Sequence, residues 1–266
     1  MARFFGCGII YLSMNRNGNG NGKGGKRMRL AQWQKAAASI FFPQRFCLNC
    51  GKLSLDQPLC PDCSGLMNAL HHCPYCASFI AATETAHYLC PDCRRKAPSF
   101  IKAVAALPYE NDLREVLIAF KYQQKTGYRR PLAALLLDLY ERYYADIPFD
   151  AIVPVPLHSE RLGERGYNQA ELLSRLLAEE TGIAHRPEYL MRSNDTPPLA
   201  ELGRKERMKV LRGAFKAQPE SAGLRILLVD DIYTTGATAE RCSHALCSQK
   251  AVSVHYLAVA AGWALP

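Results

Sequence analysis

No stretch of this 266-residue chain stays apolar for anything near the roughly 20 residues that cross a bilayer, so membrane insertion is not expected. The apolar segment near the start, Phe4 to Ser13, lacks the small-residue cleavage site of an export signal. It runs instead into a Gly/Asn tract, which points to the cytoplasm. Acid is missing altogether from Met1 to Leu55, where nine Lys/Arg stand, whereas from Asp56 onward 24 basic and 24 acidic residues balance. The net charge of +9 therefore belongs to an arm, and the rest of the chain is not a basic platform for nucleic acid.

Within that arm, Asn15 to Arg27 (NRNGNGNGKGGKR) has too little apolar material to bury a core, and residues 1–29 read as a solvated, disordered tail. Met14 and Met28 are alternative starts to Met1. Residues 30–45 read as a short helix and linker. Arg29 to Phe42 puts Leu30, Trp33 and Ala37 on one face, and Pro43 ends the pattern.

Cysteine is sparse except in one block, residues 46–98. Eight of the eleven fall in four pairs: Cys47/Cys50, Cys60/Cys63, Cys73/Cys76 and Cys90/Cys93, each a CxxC. Such a knuckle turns two thiolates toward one cation, and two knuckles complete a tetrahedral four-cysteine zinc site. Eight thiolates suffice for two structural zinc ions. Sequential pairing is expected, Cys47, Cys50, Cys60 and Cys63 for one metal and Cys73, Cys76, Cys90 and Cys93 for the other, with interleaved pairing as the alternative. His71, His72 and His87 lie near, but the cysteines already saturate two metals. Disulfides are disfavoured in the expected compartment. Cys242 and Cys247 read as helix-packing residues, and Cys7 fits no motif.

Residues 99–266 alternate strand and helix patterns. Strands are expected at Ala103–Pro108, Ala151–Val155, Tyr189–Met191, Gly213–Lys216, Ile226–Val229 and Val252–Ala260. Helices are expected at Asn111–Gln123, around Leu132 to Leu139, at Asn168–Glu180 and at Thr238–Cys247. This is an α/β domain with a mainly parallel sheet and flanking helices, whose ligands are expected beyond the carboxyl ends of the strands.

At one such end stands Arg225-Ile-Leu-Leu-Val-Asp-Asp-Ile-Tyr-Thr-Thr-Gly-Ala-Thr238. Four aliphatics form a strand buried on both faces, and the acids Asp230 and Asp231 follow. Thr234, Thr235, Gly236, Ala237 and Thr238 then lead into a helix. Acids and hydroxyls delivered to a helix N-terminus suit a ligand with both sugar hydroxyls and a phosphate. Side chains alternate along a strand, so the two acids can converge only if the strand is ending there. A receiver-type phosphoacceptor fold needs more strand–helix units than Ile232 to Pro266 can supply. A nucleoside-triphosphatase P-loop fails as well, because Gly20 to Lys26 follows no strand and Arg27 stands where Ser or Thr must hold Mg²⁺.

Two further segments carry anion-binding chemistry. Pro154 to Gln169 combines a proline-stiffened turn with Arg161, Arg165, Gly166, Asn168 and Gln169, and Asn194 to Arg212 carries Arg204, Lys205, Arg207, Lys209 and Arg212 on a polar loop. Guanidinium groups suit bidentate phosphate binding.

The Asp-Asp-Thr-Thr-Gly stretch resembles the phosphoribosyl pyrophosphate (PRPP) signature of type I phosphoribosyltransferases. The order of cysteine knuckles, Tyr109…Lys121-Tyr122, Pro154-Val-Pro with Arg165-Gly-Tyr-Asn-Gln169, Glu206-Arg207…Ala214-Phe215 and the acidic loop is similar to the ComF family, which includes GntX-type proteins. The resemblance covers about Cys47 to Ala260. It implies a double zinc ribbon fused to a phosphoribosyltransferase domain that takes PRPP with Mg²⁺. By the same resemblance, Asp230 and Asp231 meet the ribose hydroxyls and Thr234 to Thr238 wrap the 5′-phosphate. Arg161 and Arg165 to Gln169 form the first loop, on the pyrophosphate side, while Asn194 to Arg212, with Arg204 and Arg207, form a hood. Lys121 is also a motif position. This chain has Leu199 and Val210 where relatives usually carry Gln and Asn in the hood. The resemblance implies transfer of a phosphoribosyl group to a nitrogen acceptor. Alternatively it implies a non-catalytic accessory of DNA uptake that binds single-stranded DNA or a helicase. Tyr75, Phe79 and Tyr88 read first as minor core residues, with base stacking as the alternative.

Overall fold

A computed structural model of the protein describes residues 46–55, 57–80, 89–193 and 203–264, without the side chains of Arg204 and Lys205. The arm, the helix expected over Arg29 to Phe42, and Cys7, His87, Tyr88 and Leu199 lie outside the described residues.

Four strands make the central sheet: β3 (Lys102–Pro108), β4 (Ala151–Pro154), β7 (Arg225–Tyr233) and β8 (Ser253–Ala261). They lie in the order β3-β8-β7-β4, and every neighbouring pair is parallel. Parallel neighbours cannot be joined by tight turns, so each link crosses over through helices. These are α3 (Asn111–Tyr122), α4 (Arg129–Tyr143), α5 (Ser159–Arg165), α6 (Gln169–Thr181) and α8 (Ala237–Ser248). A short antiparallel pair, β5 (Leu190–Arg192) with β6 (Phe215–Ala217), and helix α7 (Arg204–Val210) stand between β4 and β7.

Period-two alternation splits the aliphatic run of β7 between two cores. Ile226 and Leu228 pack with Cys242 and Leu246 of α8 on one face. Leu227 and Val229 pack with Leu117, Leu136 and Leu173 of α3, α4 and α6 on the other. The cysteine block follows the same division. Cys47, Cys60 and Cys63 join the α3/α4/α6 core, and Cys73, Cys76, Cys90 and Cys93 join the α8 core. Phe79 is fully buried there, in keeping with the core reading, whereas Tyr75 is 43% exposed.

Both cysteine groups use one local device. Cys60 and Cys90 are N-caps, each followed by Pro, Asp and the second Cys, and they open helices α1 (Pro61–Ala69) and α2 (Pro91–Arg95). Proline costs nothing in the first turn, where its missing N–H would have no partner anyway. Strands β1 (His71–His72) and β2 (Phe79–Ile80) form the hairpin of the second group. It is joined to the sheet by backbone bonds: Ala103 N–H to Tyr75 O (3.0 Å), Phe79 N–H to Gly262 O (3.1 Å) and Ala264 N–H to Phe79 O (2.8 Å).

Three local expectations need correction. The signature strand does not end at the acids but continues to Tyr233, held by β8 as far as the pair Tyr233↔Ala261. The stretch before α6 is not only a turn and loop, because α5 forms within it, capped by His158 and closed by Gly166 at φ 79°. Likewise α7 forms inside what reads as a polar loop, with Glu206 accepting from Gly203 N–H at 3.0 Å.

Candidate functional site

Strand β4 leaves β7 early. Its pairing stops at Pro154↔Val229, and Val155 N–H makes the last bond, to Val229 O. Among the described residues that edge of β7 carries no strand partner beyond Val229, and a cleft of about 490 Å³ opens there. This is why two consecutive acids can line one cleft although their side chains take opposite faces of the strand.

Asp230 belongs to the α8 face. Its Oδ2 accepts from Tyr256 Oη at 2.5 Å, and its Oδ1 accepts from Asp231 N–H at 2.8 Å. Burial, then the neighbouring charge of Asp231, pushes its carboxyl up to about 7, against the pull of the Tyr256 hydroxyl and Lys121. Asp231 belongs to the α3 face and is only 6% exposed. Its Oδ1 lies 3.0 Å from Lys121 Nζ, a well-buried ion pair that joins the last turn of α3 to the signature strand.

The first loop supplies the opposite wall. Arg165 Nη1 donates to Gln169 Oε1 (3.0 Å) and Nη2 to Tyr122 Oη (3.1 Å), with the guanidinium 4.6 Å from the centre of the Tyr122 ring. Its Nε–H is buried and has no hydrogen-bond partner among the described residues. Arg161 lines the same cleft. Asn168 and Gln169 line it too, but most of their polar atoms are already engaged. Asn168 caps α6 through Ala170 N–H and donates to Val155 O, while Gln169 also donates to Lys121 O. Gly166 is required for its left-handed turn; a Cβ there would meet nothing.

From the third side, Thr234 and Thr238 face the cleft. Gly236 takes φ 71° as the N-cap of α8, so the backbone turns sharply into a helix whose first residue, Ala237, is buried. Thr235 lies in the same turn. Arg207 of α7 donates to Thr234 Oγ1 at 2.6 Å, which seats α7 on the loop, and burial lowers its guanidinium from the ordinary value. The Arg204 side chain lies outside the described residues.

Sequence reasoning gave no role to Tyr256, Arg192 or Glu164. Arg192 and Glu164 line the cleft, and Tyr256 holds Asp230. For Tyr256 a signal existed: it is a lone phenol in a strand otherwise built mainly of small apolar residues (SVHYLAVAA), and a fully buried hydroxyl requires a partner.

The cysteine groups are sequential, not interleaved. Cys47, Cys50, Cys60 and Cys63 form one set and Cys73, Cys76, Cys90 and Cys93 the other, with all sulfurs of a set within 4.8 Å of one another. The Cys50–Cys60 and Cys76–Cys90 sulfurs are 3.7 Å apart. That is far from the ~2.05 Å of a disulfide and close to the ~3.8 Å edge of a tetrahedron with Zn–S bonds of ~2.3 Å. Both sets therefore fit zinc. His72 is not drawn into them; its Nε2 sits 2.7 Å from Ala105 O of β3.

A larger hollow, of about 760 Å³, lies between the first cysteine group and helices α4 and α6, and no predicted site residue lines it. Among the described residues no helix is long and apolar enough to cross a membrane.

No family model matches the chain. Competence protein F of Haemophilus influenzae is 32% identical over 211 residues, covering 75% of this chain and 90% of the relative. DNA utilization protein YhgH of Salmonella typhi is 30% identical over 203 residues (70% and 89%), and competence protein ComFC of Bacillus subtilis 29% over 212 residues (76% and 83%). Among solved structures, an adenine phosphoribosyltransferase is similar at 17% identity and a TM-score of 0.32, over 54% of this chain and 84% of that one. With one competence protein matched across nine-tenths of its length, and two four-cysteine sets standing before a parallel sheet, the chain belongs to the ComF family of competence proteins.

Proposed function

We propose that the cleft binds PRPP together with Mg²⁺ and serves transfer of a phosphoribosyl group to a nitrogen acceptor. The observation that carries this reading is convergence. Four segments far apart in sequence (Lys121, Arg161 to Gln169, Arg207 and Asp230 to Thr238) bring their side chains to one cleft at the carboxyl end of a parallel sheet. Asp230 and Asp231 hold the ribose hydroxyls. The 5′-phosphate rests on Thr234, Thr238 and the N-terminus of the 12-residue helix α8, where free N–H groups favour an anion. Arg165, whose buried Nε–H lacks an acceptor, takes the pyrophosphate with Arg161. Mg²⁺ bound with PRPP would supply charge neutralisation to the leaving group. The acceptor's nitrogen lone pair forms the bond to C1′, pyrophosphate departs with the electrons of the old bond, and the acceptor's proton is released. The protein's contribution is positioning and charge.

A calorimetric titration of the full chain with PRPP and Mg²⁺ tests this. Binding is expected for the wild type and is lost in Asp230→Asn/Asp231→Asn; equal binding by both proteins would sink the reading. A screen for pyrophosphate release across amine and heterocycle acceptors then separates catalysis from binding alone.

The names of the relatives favour a second reading, a role in DNA uptake in which the cleft binds ligand without turnover and the cysteine groups meet single-stranded DNA or a helicase. DNA affinity that falls steeply with salt and vanishes on deleting residues 1–46 would support it.

A further inference from the structure

Asp230 is held from inside the core. Tyr256 of β8 is 1% exposed, with its ring edge-on to Tyr233 at 5.8 Å and tilted against Phe100 at 6.3 Å. Its Oη donates to Asp230 Oδ2 at 2.5 Å, while Asp231 N–H donates to Oδ1 at 2.8 Å. Each carboxylate oxygen thus has one protein donor, and an ionised carboxylate offers about four acceptor sites. The rest serve the cleft, which Asp230 lines. Burial, then the Asp230 charge, holds the Tyr256 phenol well above its ordinary value, so it stays a donor. A buried phenol needs no acid for this. Tyr144, packed on the other face of the sheet, satisfies its hydroxyl on the carbonyls of Lys102 and Tyr256, each at 3.1 Å.

We propose that Tyr256 is a positioning residue for the cleft: its buried hydroxyl fixes the Asp230 carboxylate in one orientation and keeps it an acceptor for ligand hydroxyls. This rests on the PRPP reading, in which Asp230 accepts from the ribose. A protonated acid would present a donor of its own there. A hydrogen bond to a carboxylate is stronger than one to the neutral acid, so the Tyr256 donor favours the ionised form. Burial, then the Asp231 charge, pushes the carboxyl up to about 7, and the Tyr256 bond leads the contributions that oppose them, ahead of Lys121. Among the described residues, the other groups around Asp230 are Asp231 of β7, Lys121 of α3 and Cys242 of α8, whose thiol burial keeps neutral. Arg192 of β5, Arg207 of α7, and Arg161, Glu164 and Arg165 of α5 line the same cleft. A change at Tyr256 leaves all of these in place.

The Asp230 carboxyl carbon, followed by carbon-13 NMR without ligand and identified by its absence in Asp230→Asn, reads the hydroxyl's hold directly. In the wild type it should titrate near 7. In Tyr256→Phe, which keeps the ring and loses the donor, it should titrate about one pH unit higher. Fluorotyrosine at position 256, a stronger donor of nearly the same shape, should move it lower, and gives a readout even where the phenylalanine variant folds poorly. Tyr144→Phe removes an equally buried hydroxyl from the other face and should leave it unmoved. Calorimetry with PRPP and Mg²⁺ reads the consequence. Tyr256→Phe should bind about fivefold more weakly than the wild type near pH 7 and almost equally at about pH 9, where both carboxyls are ionised. The proposal is overturned if Asp230 titrates alike in Tyr256→Phe and the wild type, or if Tyr144→Phe moves it as far. It is overturned equally if the titration shifts while both proteins bind PRPP alike at every pH. A wild type that binds no PRPP sinks the reading beneath it, and the ligand-free titration still decides whether Tyr256 governs Asp230.

Discussion

The two cysteine groups are built from one pattern but are tied to the molecule differently. Each ends in a Cys-Pro-Asp-Cys helix start, and each places its sulfurs at zinc-like spacing. The second is buried at all four cysteines, and its hairpin shares backbone hydrogen bonds with β3 and with the chain beyond β8. The segment that follows it is fixed to α8, where the buried carboxylate of Glu240 accepts from Ser99 N–H (2.7 Å) and Oγ–H (3.0 Å). The first leaves Cys50 part-exposed and meets its core mainly through side chains such as Leu48, Leu59 and Met67. One motif thus serves two ends: the second group is part of the sheet's frame, and the first is a lobe packed against helices.

Substitution at a cysteine is the strongest way to test that difference. A structural zinc contributes about 10–16 kcal/mol in isolated modules, comparable to the whole stability of a typical domain, about 5–15 kcal/mol. Cys93→Ser is therefore expected to cost the fold itself. The protein should lose its cooperative thermal transition and become protease-sensitive throughout, including α8 and the loop it starts. Cys50→Ser should have a smaller reach. Metal analysis should show loss of one of two zinc ions, while the sheet's transition survives at lower temperature and PRPP titrates as in the wild type. If Cys50→Ser unfolds the sheet as Cys93→Ser does, the distinction between frame and lobe is wrong.

How much of this was legible in the sequence depended on whether the cause was local. The β7 run was readable because four successive aliphatics mean a strand covered on both faces, and the cysteine spacing carried its coordination chemistry with it. The sequential pairing emerged as expected. Where β7 ends was not readable, because that is set by its partners: β8 carries the ladder on to Tyr233 while β4 departs after Pro154. The convergence of Asp230 and Asp231 was therefore anticipated for the wrong local reason. Helices α5 and α7, of seven residues each, are too short to show a periodicity and depend on caps for their limits. Tyr256, Lys121 and Glu240 acquire their roles from residues 26, 110 and 141 positions away, and no window along the chain contains such pairs.

The Glu240–Ser99 link offers a finer test of the frame, because it joins the second cysteine group to the first turn of α8. Glu240→Gln keeps the shape and one acceptor oxygen but removes the charge that strengthens both bonds. The Lys96 ammonium, 3.7 Å away and largely solvent-exposed, adds little. The expected cost is about 1–2 kcal/mol, read as a lower urea midpoint with an unchanged slope. PRPP should also bind more weakly, since the same helix presents the loop from Thr234 to Thr238. An unchanged midpoint would mean that the second group reaches the sheet through its hairpin alone.

The smallest expected effect is a gain, and it separates the two faces at the acids themselves. Asp230 lies on the second group's face, where burial lifts its carboxyl from 3.8 to about 7. In the unfolded chain that proton is lost near the lower value, so between about pH 4 and 7 the folded state binds the extra proton. Stability then falls as pH rises through this window, and the loss is complete above it. Asp230→Asn removes this cost while its side-chain oxygen can still accept from Tyr256. At pH 8 the variant should be more stable by on the order of 1 kcal/mol, once the cleft's solvent is allowed for. Near pH 4 the advantage should vanish. Asp231→Asn, on the other face, leaves Lys121 without its partner and should show no such gain. Parallel melting curves of the two variants across pH 4 to 8 would reveal the contrast. Equal behaviour would mean that the acids share one environment, and that the cleft does not sit where the two faces of the sheet meet.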